Sequence, residues 1–133
     1  MNQVNVGIVG LGTVGSGTLT ILVENARNIA EKLGFGLHVR ALCDLMIDTK
    51  TLPAMPEPLL KTKDWRELVT HPEVQIVVEL VGGTTVAREV IETAIASGKS
   101  VVTANKALMG EAGAEIWEKA IAAQVNVAME ASV

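Results

Sequence analysis

Three glycines at fixed spacing, Gly10, Gly12 and Gly15, follow a strand-like run of Val4, Val6, Ile8 and Val9 and precede a long stretch of helical periodicity. In that context Gly10-Leu11-Gly12-Thr13-Val14-Gly15 reads as a dinucleotide-binding turn. The first glycine permits a tight exit from the strand, the second lets the backbone approach a pyrophosphate, and the third lets helix and strand pack closely. The phosphates would sit on the free N–H groups and positive dipole end of the following helix. A second stretch, Val101-Val102-Thr103-Ala104-Asn105-Lys106-Ala107-Leu108, joins a strand pattern to another helix. Asn105 suits the helix N-cap, and Lys106 would then occupy the first turn, where the dipole disfavours a cation. A lysine there points to a compensating anion or a catalytic task, set against an ordinary solvated lysine.

Other candidates lie just past strand-like runs. Asp44 closes Leu37–Cys43, where a carboxylate would accept hydrogen bonds from adenosine ribose hydroxyls and repel a 2′-phosphate, favouring NAD over NADP. Its distance from the glycine turn, and Arg40, Lys50, Lys61 and Lys63 nearby in sequence, leave open a solvated loop aspartate. Gly82-Gly83 ends the apolar run Val74–Val81 and offers a close backbone approach to a ligand, although a plain strand exit would look the same. Glu79 lies inside that run, where an unpaired carboxylate would be costly, so it must be paired, protonated or facing the crevice. Glu130 closes the last strand pattern. His38 and His71 read as structural, and the single Cys43 as a small core residue.

The elements that would position these groups alternate. Leu19, Leu22, Val23, Ala26, Ile29, Ala30 and Leu33 predict one helix ending at Gly34. The proline-bearing segment 44–63 predicts a long surface loop with little regular structure. A short helix over 65–70, a helix around Ala87–Ile95, and a helix over 106–123 with irregularity near Gly110 and Gly113 separate strands at 74–81, 100–104 and 125–129. This order predicts an α/β fold, a Rossmann-like doubly wound parallel sheet flanked by helices, with ligands at the carboxyl ends of the strands. The 133 residues fit one domain, residues 1–133, and a core of Val, Ile, Leu and Ala, since only Trp65, Trp117 and Phe35 are aromatic. A net charge of −4 without a basic run argues against a nucleic-acid partner, and no apolar stretch suits a membrane span. The first strand begins almost at Met1, which leaves no room for a signal peptide and makes the cytoplasm the expected compartment.

The glycine turn, Val78-Glu79-Leu80-Val81-Gly82-Gly83, Gly98–Leu108 and Glu130-Ala131-Ser132-Val133 together resemble the amino-terminal nucleotide-binding part of homoserine dehydrogenase. The similarity spans nearly the whole chain and is weakest in the proline-rich loop; the T-A-N-K-A-L stretch is its most specific element. The resemblance implies an enzyme that interconverts aspartate 4-semialdehyde and homoserine with NAD(P)H, on the route to threonine, isoleucine and methionine. It implies that Thr13 and Val14 offer the turn backbone to the cofactor, that Thr103 lines the nicotinamide side, and that Lys106 is catalytic. It further implies that Glu130 and Val133 begin a monovalent-cation site, usually sodium, in a homo-oligomeric parent. The chain stops at Val133, so the substrate-binding region and any regulatory domain are expected to lie outside it, and the fragment alone is expected to be inactive. Two other readings are a related amino-acid or sugar dehydrogenase and a non-catalytic dinucleotide-sensing module.

Overall fold

The computed structural model describes residues 2–129. Short apolar runs form β1 (Gln3–Val9), β2 (Gly36–Cys43), β3 (Leu60–Thr62), β4 (Ile76–Glu79), β5 (Ser100–Thr103) and β6 (Val127–Met129). Longer amphipathic stretches form α1 (Thr13–Glu24), α2 (Ala26–Leu33), α3 (Trp65–Val69), α4 (Thr85–Ala96) and α5 (Lys106–Ala123). The strands make one six-stranded sheet in the order β3-β2-β1-β4-β5-β6. Every pairing is parallel. The chain winds outward from β1 through β2 to β3, then returns to the other side of β1 and continues through β4, β5 and β6. The order therefore reverses between β1 and β4, the place where such sheets leave a crevice at their carboxyl edge.

Strand alternation divides the core between two faces. Val9, Val77 and Val101 point toward the side covered by α3, α4 and α5, with Leu68, Ile91 and Ile116 beneath those helices. Val6, Ile8 and Leu42 point to the other side, where Leu19 of α1 and Ile47 close over them. Gly7 has a steric reason for its place: a Cβ there would lie 2.7 Å from Cδ2 of Leu68 and 3.2 Å from Cγ1 of Val74. Its absence lets the short α3 region settle directly onto the middle of β1.

Three expectations need correction. The single helix expected up to Gly34 is two, broken at Asn25, whose φ of −108° and ψ of 20° leave the helical region. The Asn25 side chain donates to the Ile21 carbonyl, the local competition with the backbone ladder that favours asparagine at helix ends. Gly34 does end α2, with φ at 82°. The expected loop 44–63 contains a 3₁₀ turn at Ile47–Thr49 and the edge strand β3, which pairs Leu60 with Ala41 and Thr62 with Cys43. Finally, α5 runs continuously through Gly110 and Gly113. No helix among the described residues is long and apolar enough to cross a membrane.

Candidate functional site

The glycine turn sits where β1 delivers the chain into the crevice. Gly10 has φ at 100°, and a Cβ on it would lie 2.7 Å from the Leu80 carbonyl oxygen, so both conformation and space require glycine. Gly15, in the first turn of α1, is tighter still: its Cβ would lie 1.9 Å from the Gly10 carbonyl oxygen. Gly12 differs from both. It is the N-cap of α1, supplies no side chain to cap it, and a Cβ there would meet no protein atom within 4 Å. Two glycines therefore hold the backbone in place, and the third keeps open the space beside a helix start that attracts anions.

Asp44 is built into this turn. Its Oδ2 accepts from the Leu11 N–H at 2.7 Å, and its Oδ1 accepts from the Met46 N–H at 2.8 Å. The carboxylate thus ties the carboxyl end of β2 to the glycine turn across 33 positions of sequence. It is half-buried, which excludes the simple solvated loop aspartate. Arg40 is turned elsewhere and pairs with Glu73 at 3.3 Å, whereas Lys63 contacts Asp48 at 3.0 Å.

Two cavities open at this edge. The larger, about 730 Å³, is walled by Gly12, Asp44, Met46, Lys63, Trp65 and Thr84 among others. The smaller, about 260 Å³, is walled by Val14, Glu79, Gly83, Ala104, Asn105 and Lys106 among others. They share the segment Leu80–Gly83, so that the β4–α4 connection forms a partition between them. Gly83 needs its residue type for a φ of 82°, while Gly82 has open space around its α-carbon. Leu45, Met46, Lys63 and Trp65 belong to the larger wall, and nothing in the sequence marks them as site residues beyond position just past β2 and β3. The strand β3 itself lies in the segment expected to be a loop.

The wall of the smaller cavity is held together by a polar chain. Glu79 and Thr103 are register partners on β4 and β5, so their side chains emerge on the same face. The Thr103 hydroxyl donates to Glu79 Oε1 at 2.6 Å, and the Val81 N–H donates to Oε2 at 2.8 Å. Thr103 Oγ1 accepts in turn from the Asn105 N–H at 3.0 Å. Asn105 Oδ1 caps α5 by accepting from the Leu108 N–H at 2.9 Å, and its Nδ2 donates to the Gly83 carbonyl. Burial pushes the Glu79 carboxyl above the usual carboxylate range, while the bonds from Thr103 and Val81 pull it back. Because this acid's folded-state pKa is raised, its contribution to stability is greatest at acid pH and declines as pH rises through that value.

Thr103 is completely buried and stands behind the cavity wall, holding Glu79 and Asn105. Lys106 opens α5 and does line the cavity. Asn105→Ala should lower the unfolding free energy by about 1–2 kcal/mol, since it removes a cap and a tie to Gly83. A lower urea midpoint at unchanged slope would show this; Asn105→Asp, which keeps the cap but not the tie, should recover part of the loss.

The remaining candidates sort cleanly. His38 Nε2 bonds to the Pro58 carbonyl at 3.0 Å, and His71 Nδ1 accepts from the Glu73 N–H at 3.0 Å, so both are structural. Burial, with Asp44, Asp64 and Glu67 nearby, pushes the Cys43 thiol to about 11, as suits an inert core residue. Glu130 and Val133 lie outside the described residues.

A doubly wound parallel sheet with this glycine turn at its switch point defines a dinucleotide-binding domain of the Rossmann type. Residues 10–130 match the sequence family described as "Homoserine dehydrogenase, NAD binding domain". The chain belongs to that family, which sets aside the related amino-acid and sugar dehydrogenases. It is 44% identical to the homoserine dehydrogenase of Neisseria gonorrhoeae over 133 residues, covering 100% of this chain and 30% of that protein. The homoserine dehydrogenase of Pseudomonas aeruginosa is likewise 44% identical, with 100% and 30% covered. The crystal structure of a homoserine dehydrogenase from Thiobacillus denitrificans superposes with a TM-score of 0.87 at 43% identity, covering 98% of this chain and 30% of that one. The chain therefore spans about 30% of the length of these relatives.

Proposed function

We propose that residues 1–133 form one cofactor-holding domain of an oxidoreductase that interconverts L-homoserine and L-aspartate 4-semialdehyde. The observation that carries the binding mode is the open space at Gly12, beside an uncapped helix start and on the wall of the larger cavity. Gly10, Gly12, Thr13, Val14 and Gly15 would present the turn backbone to the pyrophosphate. The larger cavity would take the adenosine half, with Asp44 facing ribose hydroxyls better than a 2′-phosphate. Gly82 and Gly83 would let the cofactor pass close to the partition, and the smaller cavity would take the nicotinamide. Thr103 serves that end indirectly, by fixing Glu79 and Asn105.

Bound nicotinamide supplies hydride transfer; the protein's part is to orient and to stabilise charge. Lys106 lines the smaller cavity, where a cation can act on the polarised oxygen of a bound aldehyde or alcohol. Glu130 and Val133 would contribute to a monovalent-cation site, taken as sodium, in a homo-oligomeric enzyme, as the family resemblance implies.

Calorimetric titration of the folded protein with NAD⁺, NADP⁺ and ADP-ribose tests the site. Saturable binding is expected, with NAD⁺ favoured over NADP⁺. Absence of binding by all three at about millimolar concentration, a weak limit for a specific site, would reject it.

A further inference from the structure

Glu79 is completely buried, yet it contributes to the wall of the smaller cavity. Both of its oxygens act as acceptors, from the Thr103 hydroxyl and from the Val81 N–H. The Val81 amide can only donate. The Thr103 hydroxyl that donates to the carboxyl also accepts from the Asn105 N–H, which strengthens it as a donor. Two donors thus reach the carboxyl directly, one on each oxygen, and a third polarises the Thr103 hydroxyl from behind, an arrangement that favours the ionised carboxylate against the cost of its burial. Its hydrogen-bond partners among the described residues are neutral. The result is an acidic side chain held by the backbone and by a register partner within the cavity wall.

We propose that the Glu79 carboxylate is the buried counter-charge of the smaller cavity and discriminates the oxidised, cationic nicotinamide ring from the reduced, neutral one. This rests on the smaller cavity being the nicotinamide end. A fixed charge in a low-dielectric wall favours a cation over a neutral ring of nearly the same shape, and it does so without touching the rest of the dinucleotide. Glu79 is accordingly a positioning residue that sets the preference between redox forms.

The test uses Glu79→Gln, which keeps the size of the side chain and an acceptor for Thr103 while removing the charge. NAD⁺, NADH and ADP-ribose are titrated separately into the wild-type protein and the variant. The ratio of NAD⁺ to NADH affinity should fall about tenfold in the variant, as expected for losing one charge near the ring, while ADP-ribose affinity changes less than about twofold. Equal changes for NAD⁺ and NADH, with ADP-ribose binding retained, would overturn the proposal. Failure of the wild-type protein to bind ADP-ribose would instead reject the dinucleotide site itself. Should Glu79→Gln not fold, Thr103→Val removes a donor that favours the ionised form. It should shift the same ratio in the same direction by about threefold, and an unshifted ratio in that variant would equally overturn the proposal.

Discussion

Gly15→Ala is expected to abolish the fold, whereas Gly12→Val is expected to abolish only cofactor binding. The Cβ of an alanine at position 15 would lie 1.9 Å from the Gly10 carbonyl oxygen, a backbone atom that no rotamer change can move aside. Relief requires shifting α1 away from β1, and Leu19 with its neighbours on that face of the sheet would move too. The expected loss exceeds about 4 kcal/mol, a large share of the stability of a domain this size. Urea denaturation should show a variant that is largely unfolded in the absence of denaturant. At Gly12 no protein atom lies within 4 Å of the added Cβ, so valine can be accommodated with a stability change of about 1 kcal/mol or less. Its methyl groups would fill the space assigned to the pyrophosphate. ADP-ribose and NAD⁺ affinity should fall by at least about 100-fold, a loss of some 2.7 kcal/mol or more. A folded Gly12→Val protein with wild-type affinity would place the phosphates elsewhere.

In the full-length enzyme, Lys106→Ala should lower turnover by about two orders of magnitude or more, the scale of a lost positioned acid–base or electrostatic contact. The lysine begins α5 at the wall of the smaller cavity. There its charge opposes the helix dipole. ADP-ribose affinity should remain within about twofold of wild type, because the larger cavity and the glycine turn are untouched. Lys106→Arg should not restore turnover, since a planar guanidinium cannot reproduce the geometry of a compact ammonium. An unchanged rate in Lys106→Ala would reduce this residue to an ordinary lysine at a helix start.

These expectations differ in how early they could be formed. That for Gly12 follows from motif and spacing and that for Lys106 from its place at a helix start together with the family resemblance, and the structure adds the open space and the cavity wall. That for Gly15 acquires its size only from the 1.9 Å approach to Gly10. Likewise, the sequence left Glu79 as paired, protonated or facing the crevice. The register of β4 against β5 decides among these, since it alone brings Thr103 opposite Glu79 from 24 positions away.

By itself the sequence determined what local sterics and periodicity control: the glycine turn, the alternation of strands and helices, the stop at Gly34, and the Asn105 cap ahead of Lys106. Each depends on groups within a few residues of one another. Only the tertiary structure decided that β3 joins the sheet, that Asp44 holds the Leu11 amide, and that Thr103 stands behind the cavity wall. A three-residue strand gains its hydrogen bonds from the edge of β2 rather than from its own pattern. A carboxylate likewise takes whichever N–H groups the strand order sets beside it, and that order is fixed by packing both faces of the sheet at once.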